Sequence, residues 1–244
     1  MKKVLVLASI AVLAMSSTVS AQSVIAGGPH DLSNGSALRN TNATINGQTC
    51  VFCHTPHGGA NTIPLWNRTA PTGAAYQLYI SSTSDSTATA AQIVNGVSGA
   101  CLSCHDGTIA VDVMTGVNGL PFGPAVAFTR QATAKSTYGN AGTGTSNVMN
   151  GGLPFLGTDL RNDHPVGIVY ETARAATPSE FVTQVINGAK ITVGSTAPLP
   201  LYGTSSTNAT IECASCHNPH NNSLGSFLRK ANAGSAMCLT CHIK

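Results

Sequence analysis

The sequence predicts mostly irregular loop structure with a few short helices and little sheet. The 244-residue chain contains 25 glycines and only 5% aromatic residues, so large side chains that could fill a core are scarce. No sustained alternation of apolar and polar residues marks a long strand, and turn-forming stretches such as 141–147, 149–157 and 194–203 are frequent. We therefore expect the loops to wrap around apolar bulk that side chains do not supply.

Two stretches predict helices within these loops. The stronger one, TPSEFVTQVINGAK, offers Thr177 as the N-cap, Pro178 at the first helical position and Glu180 to complete a capping box. Its predicted end is at Asn187, because a glycine follows that residue. A weaker pattern, AQIVNG at 91–96, predicts a short helix that leads towards a cysteine pair.

The start of the chain is typical of a secretory signal peptide at residues 1–21. Two lysines precede an apolar run, and small residues lead to a predicted cleavage site after Ala21. We interpret residues 22–244 as one domain that is exported to the outside or the cell surface, with the periplasm as the alternative. The apolar run is too short to span a bilayer, and the rest of the sequence predicts no membrane span.

The charge of the chain gives no support for a nucleic-acid partner. There are 12 basic and 9 acidic residues, and two of the lysines lie in the predicted signal peptide. The exported part is therefore nearly neutral. Only 9% of the residues are charged, and no basic patch of the kind that binds nucleic acid is present in the sequence.

All eight cysteines lie in pairs whose members are separated by two residues, and a histidine follows each pair at once. The pairs are Cys50 and Cys53, Cys101 and Cys104, Cys213 and Cys216, and Cys238 and Cys241. Cys-x-x-Cys-His is the attachment motif of c-type heme. Two thiols at this spacing can bond the vinyl groups along one porphyrin edge, and the next residue brings an imidazole to the iron. The sequence thus predicts loops wrapped around four stacked, covalently bound c-type hemes, numbered I to IV in chain order.

Disulfides and zinc are the competing interpretations of these cysteines. Eight cysteines in an exported chain are compatible with four disulfides, and the last four have a spacing close to that of a zinc ribbon. Histidine accounts for 8 of the 244 residues, so chance would place one behind all four pairs about once in a million. Heme attachment is therefore strongly favoured.

The number of histidines allows two axial ligands for each predicted heme. The motif histidines, which would be the proximal ligands, are His54, His105, His217 and His242. The remaining ones, which we interpret as the distal ligands, are His30, His57, His164 and His220. Ordinary surface or core histidines are one alternative, and methionine ligands at Met114, Met149 or Met237 are another. Two imidazoles on each iron would leave no position for a substrate, so we expect no enzymatic activity.

His57 and His220 each lie three residues after a motif histidine, in CHTPH and CHNPH. His57 cannot bind the iron that His54 binds, because three residues span at most ~10 Å and the second ligand must approach the opposite face of the porphyrin. Pro56 restricts the local turn further. We therefore expect each of these histidines to hold a second heme close to the first, which favours rapid electron transfer between them.

Several segments resemble the extracellular multiheme cytochromes of metal-reducing bacteria, especially the tetraheme outer-membrane cytochrome E type. They are GGPHDLS, CVFCHTPHGG…PLWNR, CLSCHDGT, DLRNDHPVG and ECASCHNPHNNSLGSFLRK…MCLTCH, and they run over nearly the whole exported part. The resemblance implies loop structure around bis-histidine hemes, and a homopolymer of copies that forms filaments with a continuous heme stack. It also implies upstream electron-donor cytochromes and external acceptors such as metal oxides as partners.

The resemblance further implies which heme each distal histidine serves. His57 would bind heme III of the neighbouring subunit, by analogy with the related six-heme type. Within one chain, His30 would bind heme I, His164 heme II and His220 heme IV. The implied function is extracellular electron transfer through a conductive filament. The alternative is a soluble periplasmic shuttle, which would take all eight axial ligands from one chain.

Overall fold

The protein's structure is a computed structural model that describes residues 25–26, 28–32, 49–55, 59, 63–72, 76–84, 86–111, 114–117, 120–121, 148–149 and 151–244. The predicted signal peptide and His57 lie outside these residues. All the cysteines and the other seven histidines lie within them. In the described part of the chain, no helix is long and apolar enough to cross a membrane.

The described helices are short, and three of them contain the cysteine pair of a heme motif. They are α1 (Ala90–Asn95), α2 (Val97–His105), α3 (Tyr170–Ala176), α4 (Cys213–Cys216) and α5 (Cys238–Cys241). The helix predicted at 91–96 is confirmed as α1. Thr89 is its N-cap, and Gln92 completes a capping box that satisfies two backbone N–H groups.

The strands of the described residues form small antiparallel sheets. They are β1 (Gly116–Val117), β2 (Leu120–Pro121), β3 (Ile168–Val169), β4 (Gln184–Asn187), β5 (Lys190–Val193), β6 (Leu199–Leu201) and β7 (Thr210–Ile211). β1 pairs with β2 and β3 pairs with β7, while β4, β5 and β6 form a three-stranded sheet in that order. The hairpin of β4 and β5 thus lies at one side of this sheet.

The helix predicted from Thr177 is wrong, because the chain beyond α3 leads into the β4–β5 hairpin. Asn187 pairs with Lys190, so the Asn-Gly sequence begins a hairpin turn and does not end a helix. Gly188 has a φ of 59°, a left-handed conformation that glycine adopts without steric cost. The β-branched residues of β5 favour a strand once the hairpin packs on the core, and most of them are buried.

The largest apolar cluster joins α3 to the three-stranded sheet. Its buried members are Tyr170, Ile191, Val193, Leu201 and Ala209. The Tyr170 hydroxyl donates to the carbonyl oxygens of Val182 at 2.6 Å and of Cys241 at 3.2 Å. Burial of each large apolar side chain contributes roughly 1.5–3 kcal/mol. The cluster therefore attaches the fourth heme motif firmly to the sheet.

Two smaller apolar clusters lie behind the first and second motifs. Val51 and Phe52 of the first motif pack with Met114, which is 9% exposed. Leu102 of the second motif packs with Ile93 of α1 and with Leu160. The described core is thus divided into small clusters, each of which supports a heme motif.

Candidate heme-binding sites

Each heme motif is a single helical turn. The backbone N–H of the motif histidine donates to the carbonyl oxygen of the first cysteine at 2.8 Å for His54, 3.0 Å for His217 and 2.9 Å for His242. The second motif is the last turn of α2. Cysteines three positions apart on such a turn project from the same side, which suits two bonds to one porphyrin edge.

A second backbone segment holds each motif histidine in place. Isolated antiparallel bridges pair His54 with Trp66, His217 with Leu228 and His242 with Phe181. At the second motif, the carbonyl oxygen of His105 instead accepts hydrogen bonds from the N–H groups of Leu156 at 2.9 Å and Gly157 at 3.3 Å. We call these partner segments, residues 65–67, 154–157, 180–182 and 227–229, the straps. The sequence did not predict them, because they lie at very different distances along the chain from their motifs.

Backbone carbonyl oxygens orient four of the imidazoles through Nδ1. The contacts are His105 to Pro154 (2.7 Å), His217 to Ser226 (2.7 Å), His164 to Pro165 (3.0 Å) and His30 to Pro219 (3.5 Å). An Nδ1–H group that donates to a carbonyl leaves Nε2 unprotonated and available to a metal. An axial imidazole must present an unprotonated nitrogen to bind a heme iron.

Six histidines lie in three pairs whose separation suits a shared iron. The ring centres are 6.1 Å apart in His54 and His220, 6.2 Å in His30 and His105, and 6.5 Å in His164 and His242. Two metal–nitrogen bonds of about 2 Å, with about 1 Å from each nitrogen to its ring centre, give roughly 6 Å. Each pair combines a motif histidine with a predicted distal histidine.

These pairs differ from the ones that the family resemblance implies. His30 lies beside His105 of the second motif and not beside the first motif. Its ring stacks on Phe227, with ring centres 4.2 Å apart, and this contact places His30 against the strap of the third motif, residues 227–229. The structure therefore places His30 at the second motif and not at the first, where the resemblance implies it.

His220 and His164 also lie at other motifs than the resemblance implies. His220 lies beside His54 of the first motif, where the resemblance implied the fourth. His164 lies beside His242 of the fourth motif, where the resemblance implied the second. His164 lies at the fourth motif because α3 follows it closely in the chain. The hydroxyl of Tyr170, the first residue of α3, donates a hydrogen bond to Cys241 of that motif.

The third motif histidine has a different setting. His217 is exposed, and no histidine ring of the described residues is paired with it. His57 is the distal candidate that remains, and it lies outside the described residues. The expectation that His57 serves heme III stays a prediction.

Burial favours the neutral form of four of these imidazoles, which is the form that binds a metal. Burial is the first cause that lowers the pKa of His105, His220 and His242, and it lowers the pKa of His30 to about 4. The partner ring of the pair lowers the pKa of His30, His220 and His242 further, because two imidazolium charges would repel each other. The histidine pairs are thus prepared electrostatically as well as geometrically.

None of the eight cysteines forms a disulfide in the structure. Burial raises the pKa of Cys53 and that of Cys241 to about 12, so both remain neutral thiols. Among the described residues, no group of three or more His, Cys, Asp or Glu converges as it would around a metal ion. The last four cysteines therefore do not form the zinc ribbon that their spacing allows.

Cysteines of successive motifs influence each other electrostatically in the order of the chain. Burial first and then Cys104 raise the pKa of Cys53, interaction with Cys213 raises the pKa of Cys101, and burial together with Cys238 raises the pKa of Cys216. The first motif is therefore next to the second, the second next to the third and the third next to the fourth.

A buried carboxylate joins the second motif to the third. Glu212 is 1% exposed and accepts hydrogen bonds from the N–H of Ser98 at 3.0 Å, from the Ser98 hydroxyl and from the Thr210 hydroxyl at 2.7 Å. The Ser98 oxygen accepts in turn from the N–H of Cys213 at 2.9 Å. Because Ser98 belongs to α2 and Cys213 begins α4, these bonds fix the two helices to each other beside their cysteines.

Trp66 shows that the surroundings of the first motif fit a heme. Its indole N–H is buried and has no hydrogen-bond partner among the described residues. The ring lies edge-on to His54, with ring centres 6.0 Å apart. A buried donor without a partner costs about 1–3 kcal/mol. A heme propionate next to His54 would accept this hydrogen bond and remove the cost.

Comparison with known proteins supports covalent heme attachment in the last part of the chain. Residues 207–244, which contain the third and fourth motifs, match the family described as the doubled CXXCH motif. No curated protein matches the chain. The match indicates covalently bound heme c of the kind found in multiheme c-type cytochromes, with electron transfer as the general function.

Proposed function

We propose that the protein carries electrons outside the cell through four bis-histidine c-type hemes, in copies that are joined into a conductive filament. The arrangement of the histidines carries this proposal. Three pairs lie within the chain at 6.1, 6.2 and 6.5 Å, while His217 is exposed and has no such partner among the described residues. One ligand would therefore come from His57 of a neighbouring copy.

The residues of the chain would bind and orient the four hemes, which supply one-electron redox chemistry when bound. The cysteine thiols would hold one porphyrin edge at each motif, and the motif histidines would supply one ligand to each iron. The carbonyl oxygens at Pro154 and Ser226 direct Nε2 of their histidines towards the metal. With a second imidazole on the opposite face, a substrate finds no position on the iron, so we propose an electron carrier and not an enzyme.

The contacts between successive motifs support a path for electrons along the chain. Electron tunnelling becomes much slower as the distance between heme edges grows, so the attachment points must be close. The N–H of Cys213 donates to the hydroxyl oxygen of Ser98 at 2.9 Å, and Glu212 fixes α2 to α4 at the same place. Transfer between hemes II and III, in the middle of the path, therefore depends on a rigid contact.

The exposure of His217 supports a junction between copies. An imidazole from another chain can reach a histidine at the surface, whereas the half-buried His105 is already paired with His30. His57 lies three residues after His54, so the junction would place heme I of one copy beside heme III of the next. Electrons would enter the polymer from upstream electron-donor cytochromes and leave to external acceptors such as metal oxides.

A soluble periplasmic shuttle is the second candidate, and one observation favours it. His220, three residues after the third motif histidine, lies beside His54 of the first motif. A reciprocal contact of His57 with His217 within one chain would let all eight axial ligands come from that chain, without a neighbouring copy. The two functions thus differ in a single ligand.

Substitution of His57 tests the proposed function. In His57→Ala, we expect four covalent hemes by mass spectrometry, a high-spin ferric signal from heme III and no filaments by electron microscopy. His220→Ala is the matched control, because it removes a distal ligand that lies within the chain and should leave the filaments intact. Normal filaments of the His57 variant would refute the junction.

A mixing experiment separates the filament from the shuttle. A copy with His57→Ala keeps His217 and can receive an imidazole ligand at heme III. A copy with His217→Ala keeps His57 and can provide that ligand. If the ligand crosses between copies, the mixture forms dimers with a single junction and the high-spin signal of the first variant decreases. If both variants stay monomeric when mixed, while the unaltered protein is a low-spin monomer, the shuttle is correct.

A further inference from the structure

The first and third motifs have the same local structure. The N–H of Thr55 donates to the carbonyl oxygen of Leu65 at 2.8 Å, and the N–H of Asn218 donates to that of Phe227 at 2.7 Å. Leu65 and Phe227 have positive φ angles of 61° and 57°, which are rare for large side chains. Agreement in such an uncommon conformation indicates that the first and third motifs are copies of one structural unit.

A basic side chain follows the strap at the same position in both copies. Arg68 and Lys230 each lie two residues after the strap residue that bridges the motif histidine. Arg68 donates from Nε to Oγ of Ser103 at 3.2 Å and from Nη2 to the Ser103 carbonyl oxygen at 3.0 Å. Lys230 donates from Nζ to Oγ1 of Thr240 at 2.9 Å. Each basic residue thus reaches from one motif to the next motif along the chain.

Ser103 and Thr240 are also equivalent. Each lies directly before the second cysteine of its motif, and the two are 0% and 3% exposed. The chain therefore contains two diheme units, one with motifs I and II and one with motifs III and IV. In each unit, a cation from the strap of the first motif binds the helical turn of the second. The family match to the doubled motif covers the second of these units.

Neither cation is paired with a carboxylate in the described residues. The two ion pairs there join Arg161 to Asp159 and Arg174 to Glu171. Arg68 is 0% exposed, and its other acceptors are the carbonyl oxygens of Val111 at 2.7 Å and Ala110 at 2.8 Å. A buried cation stabilises negative charge nearby, because the surrounding protein screens it weakly.

We propose that Arg68 and Lys230 are positioning residues that also tune redox chemistry: each holds the second motif of its unit and makes the heme of that motif, II or IV, easier to reduce. This inference rests on the proposed function only in that it requires bound hemes. The cation binds the residue directly before the second cysteine, so it would lie near the porphyrin edge that the cysteines hold and away from the propionates at the other edge. Reduction adds one electron to the heme, and the nearby positive charge stabilises the added negative charge.

Lys230→Gln in the full heme-loaded protein is the test. Lys230 is only partly buried, so the variant is expected to fold and to keep four low-spin hemes. In a spectroscopic redox titration, the ratio of reduced to oxidised heme IV at a fixed potential should fall on the order of tenfold, the effect of a unit charge at an effective dielectric constant near 20. His164→Met identifies the heme IV step, because a methionine ligand beside His242 raises its potential.

Three further variants complete the test. Lys230→Arg keeps the charge and should leave the titration unchanged, as should Lys190→Gln on the exposed start of β5. Arg68→Gln should lower the same ratio for heme II. A Lys230→Gln protein with four low-spin hemes and an unchanged heme IV step would overturn the inference and leave the proposed function intact. High-spin ferric hemes in the unaltered protein would instead contradict the proposed function, which requires two imidazoles on each iron.

Discussion

Glu212 offers a direct test of how the second and third motifs are held together. The substitution Glu212→Ala removes a carboxylate that is 1% exposed and accepts from Ser98 and Thr210. A hydrogen bond to a charged group contributes about 1.5–3 kcal/mol, and the buried N–H of Ser98 would lose its partner. The variant no longer buries a charge, which offsets part of this loss. We therefore expect the free energy of unfolding to fall by about 3–5 kcal/mol.

The assay is guanidinium denaturation of the heme-loaded protein, followed by far-ultraviolet circular dichroism. Glu212→Gln should lose less, about 2 kcal/mol, because its amide oxygen can still accept one of the bonds. Glu180→Ala is the control: this glutamate is exposed, and the change should stay within about 0.5 kcal/mol. A loss below about 1 kcal/mol in Glu212→Ala, with four hemes attached, would refute the role that we assign to this carboxylate.

Three other predictions follow from contacts within the described residues. Gly99→Ala should lower the free energy of unfolding by about 1–3 kcal/mol in denaturation, because a Cβ there would lie 2.2 Å from the carbonyl oxygen of Val94; an unchanged stability would contradict this. His220→Ala should convert heme I to the high-spin state, as resonance Raman spectra would show, whereas conversion of heme IV would support the pairing implied by the resemblance. Finally, stability of the heme-loaded protein should fall as the pH drops from 6.5 towards 4, by up to about 3 kcal/mol. The unfolded chain takes up a proton on His30 near 6.5, whereas burial, which lowers the pKa of His30 to about 4, and the bond to the iron both keep the folded imidazole neutral. Denaturation at several pH values should show a flatter profile for His30→Ala.

The sequence predicted the chemistry of the site better than its geometry. The Cys-x-x-Cys-His turns are local, so their spacing alone indicates what they bind. The pairing of His30 with His105, or of His164 with His242, depends on long-range contacts such as those of Phe227 and Tyr170, which no local pattern shows. The resemblance therefore led to a pairing that the structure does not have.

The secondary structure shows the same limit. The short AQIVNG pattern predicted α1 correctly, and the capping box of Thr89 and Gln92 that the structure shows stabilises this helix within its first turn. The capping signals at Thr177 predicted a helix that does not form, since the sheet stabilises a hairpin with its turn at Gly188. Tertiary packing decided between two local possibilities, and the β-branched residues of β5 were the signal that could have shown it.

The central claim is that His217 takes its second imidazole from His57 of another copy. The most direct test is cryo-electron microscopy of the secreted, heme-loaded protein without denaturant, at a resolution that shows the axial ligands. Our account predicts filaments with one copy per repeat, intrachain ligand pairs at hemes I, II and IV, and His57 of the neighbouring copy on heme III. Dispersed monomers in which His57 and His217 of one chain share an iron would contradict it.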